Sequence, residues 1–473
     1  MRVFTLTEAA RPDAIRNRPD AHWFVVGTVC VGAFMGQLDA SIVTLAFPAL
    51  RKEFHASIGS VEWVALAYLL TLIATVPAIG RLADVAGRKL LYVYGFVVFS
   101  LASVACGLAP NLVSLDVLRV VQAIGAAMLQ ANSVALITLA MPRGMLGRGI
   151  GVQGAAQAVG LALGPTVGGL LVGLGGWRLI FFVNAPVGLI GTVAGWFLLP
   201  RTRDRAAPAP FDWLGLALFA PAVTMLLLAL SQAEHSAALS TVVVGLLAAA
   251  ALLAVLFVRR QLTTPAPMID PALFRRTAFS AGIGSGLLSY FLLFGVLFVT
   301  PFFLEAHHHL QPGAAGLALT TLPVGLATVA PLAGRAADRL GARPLTVAGM
   351  LLSAVALVGL SVGRNQLWAV VVALGVAGLG LGLFTPANNA AIMGTVPSYQ
   401  AGSAGGILNM TRGVGTALGV AVIALVYSAA AGPSGTLSIA GSSRGFAVAA
   451  GVLAVVAVAA AAVSARRPPT AIS

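Results

Sequence analysis

Two carboxylates and two guanidiniums stand inside stretches of sequence otherwise suited to hydrocarbon. Asp39 lies in Leu38-Asp39-Ala40-Ser41-Ile42-Val43-Thr44-Leu45-Ala46-Phe47-Pro48, and a second stretch reads Asp116-Val117-Leu118-Arg119-Val120-Val121-Gln122-Ala123-Ile124-Gly125. Arg412 sits in a third, three residues after Asn409. An ionised side chain in hydrocarbon is costly, so a carboxylate held there is suited to taking up and releasing a proton. The plainer role for Asp39 is a hydrogen bond to a neighbouring helix. Asp116 either neutralises Arg119 locally or serves as a second titrating group. Arg412 is an intramembrane cation that needs a partner, supplied either by a structural ion pair or by substrate.

The elements that carry these residues follow from composition. Of 473 residues, 59% are hydrophobic and 9% charged, and the mean hydropathy is +0.97. No soluble core hides that much apolar surface, so the solvent is lipid. About 20 apolar residues span a bilayer, and fourteen such runs are present: 23–47, 61–80, 90–109, 112–140, 148–173, 179–199, 213–231, 240–258, 278–304, 314–334, 345–362, 366–391, 403–429 and 445–464. At ~1.5 Å rise per residue, Asp39 lies roughly 12 Å and Arg119 roughly 10 Å below the outer ends of their runs, which allows them one shared cavity. Arg119 and Gln122 lie one turn apart on one helix face. Arg412 lies roughly 15 Å from the inner end of its run.

An internal repeat gives the architecture. Gly80-Arg81-Leu82-Ala83-Asp84-Val85-Ala86-Gly87-Arg88-Lys89 returns as Gly334-Arg335-Ala336-Ala337-Asp338-Arg339-Leu340-Gly341-Ala342-Arg343, between the second and third runs of each half. Eight runs separate the two turns where a plain six-plus-six duplication has six, so the pair within 213–258 reads as an insertion. The expected organisation is a tail over 1–22, a six-helix bundle over 23–200, linkers and inserted pair over 201–277, a second bundle over 278–464 and a tail over 465–473. Arg201–Pro210 and Arg259–Pro271 link the pair to the bundles, and Gly432–Ser443 is a Gly/Ser-rich outer loop. Counted by side, twenty-one Arg and Lys fall on the side of the two tails and five on the other, which places both termini in the cytoplasm. In the turns, Asp84 and Asp338 can accept hydrogen bonds from helix ends, while Arg88, Lys89 and Arg343 can bind carboxylates or lipid phosphates. Such contacts, with Gly80 and Gly87, form either a latch between the bundles or simply an anchor on the positive side.

The first turn closely resembles the signature loop of the major facilitator superfamily. The Asp39 stretch resembles the L-D-x-T-I-V-N-x-A-L-P signature of its fourteen-helix drug:proton antiporters, with departures at Ser41, Thr44 and Phe47. The Arg119–Gly125 stretch resembles R-x-x-Q-G-x-G, with Ala123 for the first glycine. Gly160-Leu161-Ala162-Leu163-Gly164-Pro165-Thr166-Val167-Gly168-Gly169 matches the exporter motif G-x-x-x-G-P-x-x-G-G at every fixed position. Small residues four apart let helices approach closely and Pro165 removes a backbone donor, so ordinary packing explains the glycines but not the whole run. Trp63 to Tyr68, Trp177-Arg178 to Pro186, Phe211-Asp212-Trp213 and Ala401-Gly402-Ser403 to Arg412 are similar to further family segments.

The resemblance implies an all-α integral membrane protein of 6 + 2 + 6 helices in a bacterial plasma membrane. It implies a monomeric antiporter that uses the proton gradient to export amphipathic drugs, dyes or antibiotics by alternating access. The expected coupling residues are Asp39, Arg119 and Asp116, and the expected cavity residues are Asp39, Gln122, Asn409 and Arg412. A nutrient symporter and a non-transporting receptor are the rival readings; the motif at Gly160–Gly169 and the short tails argue against them. The deep acids are only Asp39 and Asp116, with Glu62 and Glu305 near the outer boundary, against Arg119 and Arg412. Neutral, monocationic or weakly acidic substrates therefore fit better than dications. No nucleotide-binding loop or nucleophile–base pair is visible, so no enzymatic activity, cofactor or nucleic-acid partner is expected. Three adjacent histidines, His307 to His309, read as a solvated loop rather than a metal site. Cys30 and Cys106 read as packing residues.

Overall fold

A computed structural model describes residues 10–56, 58–142, 144–202, 212–235, 240–310, 312–397, 400–431 and 439–467. The expected linker beyond Thr202, Phe211, the 432–438 part of the outer loop and the side chain of Glu62 lie outside the described residues.

Fourteen long helices follow in order. They are α1 (Ala21–Ile42), α2 (Ile58–Ala86), α3 (Arg88–Gly107), α4 (Leu112–Ala140), α5 (Leu146–Gly175), α6 (Asn184–Leu198) and α7 (Trp213–His235). The second seven are α8 (Thr241–Thr263), α9 (Thr277–His308), α10 (Pro312–Leu340), α11 (Ala342–Val362), α12 (Leu367–Gly394), α13 (Ala401–Ala431) and α14 (Ile439–Ala465). Among the described residues, twelve spans are long and apolar enough to cross a membrane. α5 is a thirteenth, bent by 44° between Leu146–Gly164 and Thr166–Gly175, and Trp213–Leu226 of α7 is a shorter apolar helix. The bend falls at Pro165, whose missing N–H cannot continue the helical ladder. The chain is a multi-pass membrane protein.

Helices α1–α6 pack as one bundle and α9–α14 as another, while α7 and α8 pair with each other and α7 leans on α2 and α13. Exposed Val113, Val117, Leu170, Leu189, Val355 and Val362 cover the outside, and Asp39, Arg119, Gln122, Asn184, Asn388 and Arg412 are buried. This inverts a soluble protein, because lipid is as apolar as a protein core. The inserted pair is tied at its base by Asp212, which accepts from Gly215 N (3.0 Å), Gln261 Nε2 (2.9 Å) and Arg260 Nε (3.2 Å).

The two charged turns are each broken by one residue. Gly87 (φ 103°) separates α2 from α3, and Gly341 (φ 78°) separates α10 from α11. A side chain at such positive φ is strained, so glycine ends one helix and lets the next begin at once. The end of the bundles that carries these turns is called the turn end below.

Three expectations are corrected. The first run is not one helix: α1 stops at Ile42, a 3₁₀ turn covers Val43–Ala46 and a short helix covers Phe47–Phe54. The β-branched residues Ile42 to Thr44 and the proline at the start of the short helix disfavour a continuous ladder there. The sixth run is crossed, as expected, by one span, Leu179–Leu198, with only a turn residue at Val183 between Leu179–Phe182 and α6. Arg88 and Lys89 are both buried: Arg88 takes a carboxylate, one of the two partners expected of it, its Nη2 donating to Asp84 Oδ1 (2.5 Å), while Lys89 Nζ donates to the Leu199 carbonyl (2.8 Å), a partner not among those expected. Arg467, assigned to a solvated tail, is buried between α9 and α12, donating to Ser285 Oγ (3.1 Å) and Asn388 Oδ1. Burial lowers its pKa to about 10.

Candidate functional site

Asp39 stands three residues before α1 ends, where the Val43–Ala46 turn leaves its carboxylate pointing into the first bundle. Arg119 Nη1 donates to Asp39 Oδ2 at 2.8 Å, and both side chains are buried. Gln122 Nε2 and Asn184 Nδ2 donate to Asp39 Oδ1 at 3.0 and 2.9 Å. Arg119 also donates to Gln122 Oε1 (2.6 Å) and, from Nε, to the Val64 carbonyl (2.9 Å). Its guanidinium lies 4.1 Å over the Tyr68 ring. Ser103 Oγ, anchored on the Phe181 carbonyl, receives the remaining amide hydrogens of Gln122 (3.2 Å) and Asn184 (3.0 Å). Four helices, α1, α3, α4 and α6, and the Val64–Tyr68 stretch of α2 thus converge on one carboxylate. Three donors satisfy it as an anion, which is the condition for a buried charge to persist.

The network has one face on the space between the bundles. A cavity of about 210 Å³ there is lined by Arg119 and Tyr68 from the first bundle and by Tyr290, Phe294, Asn409 and Arg412 from the second. Asp39 itself lies behind Arg119 and Tyr68, fully buried. Asp39, Arg119 and Gln122 are therefore brought together, but of the three only Arg119 lines the cavity with Asn409 and Arg412; Asp39 and Gln122, expected in the cavity, are buried and do not line it. Asp116 is not part of the group: Arg119 pairs with Asp39 instead, and the buried Asp116 Oδ1 has no hydrogen-bond partner among the described residues.

The glycines of α5 set how closely α1 is held. A Cβ on Gly164 would fall 1.9 Å from Ser41 Oγ, and one on Gly160 would fall 2.5 Å from the Phe34 carbonyl oxygen. Both glycines thus clamp the α1 segment that carries Asp39. Gly168 is buried, and a Cβ on Gly169 would meet open space.

At the turn end both aspartates of the repeat bridge the bundles. Asp84 on α2 accepts from Gly402 N (2.9 Å), Ser403 N (2.8 Å) and Ser403 Oγ (2.5 Å) at the start of α13. Asp338 on α10 accepts from Gly147 N (2.7 Å) and Arg148 N (3.0 Å) at the start of α5. Each carboxylate satisfies free N–H groups and faces the positive end of a helix dipole. Gly80 lies against the Gly402 backbone, where a Cβ would come within 2.5 Å of the carbonyl oxygen.

Asn184, Ser103 and Tyr290 were not anticipated as site residues. Asn184 carried a signal, a polar residue inside an apolar run just before Pro186; a lone Ser103 and a Tyr290 among other aromatics carried none. The three histidines sit at the end of α9, with His307 stacked on Phe303 (4.9 Å) and His308 Nε2 2.8 Å from the Arg364 carbonyl oxygen.

Comparison with known proteins places this architecture. The family model described as Major Facilitator Superfamily matches twice, over residues 29–284 and 282–473. The riboflavin transporter RibZ of Clostridioides difficile (strain 630) is 33% identical over 408 residues, covering 86% of this chain and 88% of that protein. The tetracenomycin C resistance and export protein of Streptomyces glaucescens is 33% identical over 425 residues, covering 88% and 78%. The multidrug resistance protein Stp of Mycobacterium tuberculosis (strain ATCC 25618 / H37Rv) is 34% identical over 403 residues, covering 84% and 74%. Among solved structures, the human organic anion transporter MFSD10 (TETRAN) superposes with a TM-score of 0.69 at 14% identity, over 95% of this chain and 100% of that one. At such identity the likeness speaks for the fold.

Proposed function

The chain belongs to the major facilitator superfamily, and we propose that it is a proton-coupled exporter of amphipathic organic compounds that works by alternating access. The observation that carries this reading is the Asp39–Arg119 pair, a buried acid screened from the inter-bundle cavity by the cation that balances it and by Tyr68. Two of the similar proteins bear names of drug resistance or export, and the Gly160–Gly169 motif grips the α1 segment beside Asp39.

In this proposal the turn end faces the cytoplasm of a bacterial cell, and the membrane is the plasma membrane. The Asp84 and Asp338 bridges hold that side shut. A proton arriving from outside neutralises Asp39 and removes the attraction that holds Arg119. Arg119 then leans on Tyr68, Gln122 and the Val64 carbonyl alone, and the local repacking favours opening of the turn end. Substrate entering from the cytoplasm presses on Arg119 and Tyr68, returns the guanidinium to Asp39 and expels the proton inward. Transport and proton flow are thus alternatives for one cavity wall, as a two-state rocking of the bundles requires.

The test uses everted membrane vesicles energised to an acid interior with a pH dye inside. Monocationic, neutral and weakly acidic aromatic compounds are added in turn, with vesicles lacking the protein as the control for passive effects. Substrate-triggered proton release in wild type but not in Asp39→Asn is the expected result. Release that survives Asp39→Asn moves the coupling role elsewhere, and Asp116 is then the next residue to replace. A second reading, proton-driven uptake of a small nutrient, draws on the relative named as a riboflavin transporter. It predicts that an outward substrate gradient from the vesicle lumen, rather than substrate added outside, carries protons out with it.

A further inference from the structure

Arg412 is the one charged residue facing the cavity whose charge nothing nearby balances among the described residues. It is 9% exposed, it lies on α13 at the inter-bundle cavity, and no carboxylate forms an ion pair with it among the described residues. Its Nη1 donates to Asn409 Oδ1 at 3.0 Å, and Asn409 is itself held by the carbonyls of Gln130 (2.8 Å) and Gly405 (2.9 Å). Its Nε is buried with no hydrogen-bond partner among the described residues. The guanidinium lies 5.3 Å over the Tyr290 ring, and Tyr290 and Phe294 stand one turn apart with their rings nearly parallel at 19°.

These facts are hard to account for as structure alone. A cation–π contact and one neutral acceptor compensate a buried guanidinium only in part, and an unpaired donor in hydrocarbon is expensive to keep. Arg119, the other cavity arginine, is balanced by Asp39. The cavity wall therefore carries a net positive charge located on Arg412. Nε and Nη2 form the side-on fork with which a guanidinium grips a carboxylate in two parallel bonds, and Nη1, on the far edge, is the nitrogen that Asn409 occupies. The fork edge is the one with the unpartnered Nε. An aromatic wall beside it offers a stacking surface for a flat ring system. At about 210 Å³ the cavity is smaller than the ~300–1,000 Å³ of typical drug-sized sites, which favours a compact ligand.

We propose that the cavity recognises planar aromatic compounds bearing an acidic group, with Arg412 gripping the acid and Tyr290 and Phe294 stacking on the rings. This rests on the transport reading above and specifies its substrate class. Asn409 is then a positioning residue that turns the free edge of Arg412 to the ligand.

The test uses 9-anthroate, its neutral methyl ester and the cationic 9-(aminomethyl)anthracene. Binding to purified full-length protein in lipid nanodiscs is read by fluorescence, for wild type, Arg412→Gln and Arg412→Lys, with thermal unfolding as the check on folding. Wild type is expected to bind 9-anthroate at least tenfold more tightly than the ester, and the amine least. Arg412→Gln is expected to bind acid and ester alike, while Arg412→Lys, which keeps charge without the fork, retains a reduced preference for the acid. Equal or tighter binding of the ester by wild type overturns the proposal, and does so even if Arg412→Gln fails to fold. An acid preference that persists in Arg412→Gln also overturns it. The same compounds in everted vesicles keep the two readings apart. Proton release by the ester and the acid alike refutes acid recognition and leaves export standing. Arg412-dependent acid binding with no proton movement leaves acid recognition standing and removes export.

Discussion

Arg119 and Asp39, 80 residues apart in sequence, meet at 2.8 Å with both side chains shut away from solvent. Removing one partner of such a pair leaves an uncompensated buried charge, at a cost of about 3–5 kcal/mol. Arg119→Gln alone is therefore expected to lower stability by that order. Asp39→Asn costs less, because Val64, Gln122 and the Tyr68 ring still hold the guanidinium. The double substitution is expected to be more stable than the sum of the singles predicts, by about 0.5–3 kcal/mol of coupling. Thermal unfolding of the four proteins in one detergent gives the cycle. Strict additivity would mean that the pair contributes nothing beyond its separate contacts.

The latches predict a population shift, accompanied in Asp84→Asn by a loss of stability because the buried ion pair of Asp84 with Arg88 is also broken. Hydrogen bonds to a charged group contribute about 1.5–3 kcal/mol each, so Asp84→Asn, which weakens the bonds from Gly402 N, Ser403 N and Ser403 Oγ, is expected to favour the state open at the turn end by about tenfold or more. Asp338→Asn, with two such bonds, acts in the same direction and less strongly. Spin labels at the exposed positions Leu82 and Leu340, with Cys30 and Cys106 replaced, report the distance between the bundles at that end. An unchanged distance distribution in Asp84→Asn would show that the bridge does not govern opening.

Glycines that look equivalent in one motif are expected to behave differently. Gly164→Ala drives a methyl into Ser41 Oγ and Cβ, whereas Gly169→Ala enters open space. Overpacking of that kind costs about 1–3 kcal/mol, so Gly164→Ala is expected to lose stability and transport, and Gly169→Ala to keep both. Ser41→Gly combined with Gly164→Ala removes the obstructing atoms and is expected to restore part of the loss. Gly160→Ala meets backbone, the Phe34 carbonyl, and no side-chain change rescues it. If all three glycines respond alike, the motif does not act through its contact with α1.

These cases show how far the sequence could be read. Helix number and the repeat were legible because polar interruptions between apolar runs are sharp, and Gly87 and Gly341 mark the turns residue by residue. The meeting of Asp39 with Arg119 was foreshadowed by depth, although the depth of Asp39 had been reckoned on a helix that in fact ends at Ile42. The partners of a buried charge were harder. Ser103 looks like any small residue in a membrane helix, and nothing in the local sequence tells that Asn184 meets Asp39, 145 residues away. Of the two roles open to Asp116, the ion pair with Arg119 is not formed among the described residues: three residues along a helix make two side chains neighbours, but Arg119 turns toward Asp39 on α1, which the local sequence does not encode. Arg467 shows the limit of counting charges by side, since it has withdrawn into the second bundle.

The end opposite the turns carries a charged clamp whose pH response separates it from Asp39. Glu53, on the short helix after the 3₁₀ turn, accepts from Trp177 Nε1 and Arg178 Nη1, both at 2.7 Å. Those two hydrogen bonds, the Trp177 bond first, hold its pKa below the ordinary glutamate value against the opposing effect of burial, with the Arg178 charge adding least. A depressed carboxylate stabilises the folded state fully above its unfolded value, about 4.3, and that contribution is lost as pH falls through the still lower folded value. Between pH 5 and 8 the clamp therefore stays ionised and contributes a constant amount. The pair is 38% and 42% exposed, so solvent screening keeps that amount under about 1 kcal/mol. Glu53→Gln is expected to lower thermal stability slightly at pH 7, to lose that difference from wild type progressively as pH falls below the unfolded glutamate value of about 4.3, and to leave the pH dependence of transport between pH 5 and 8 unchanged. A shifted transport profile in Glu53→Gln would place a coupling group at this clamp and take the pH response away from Asp39.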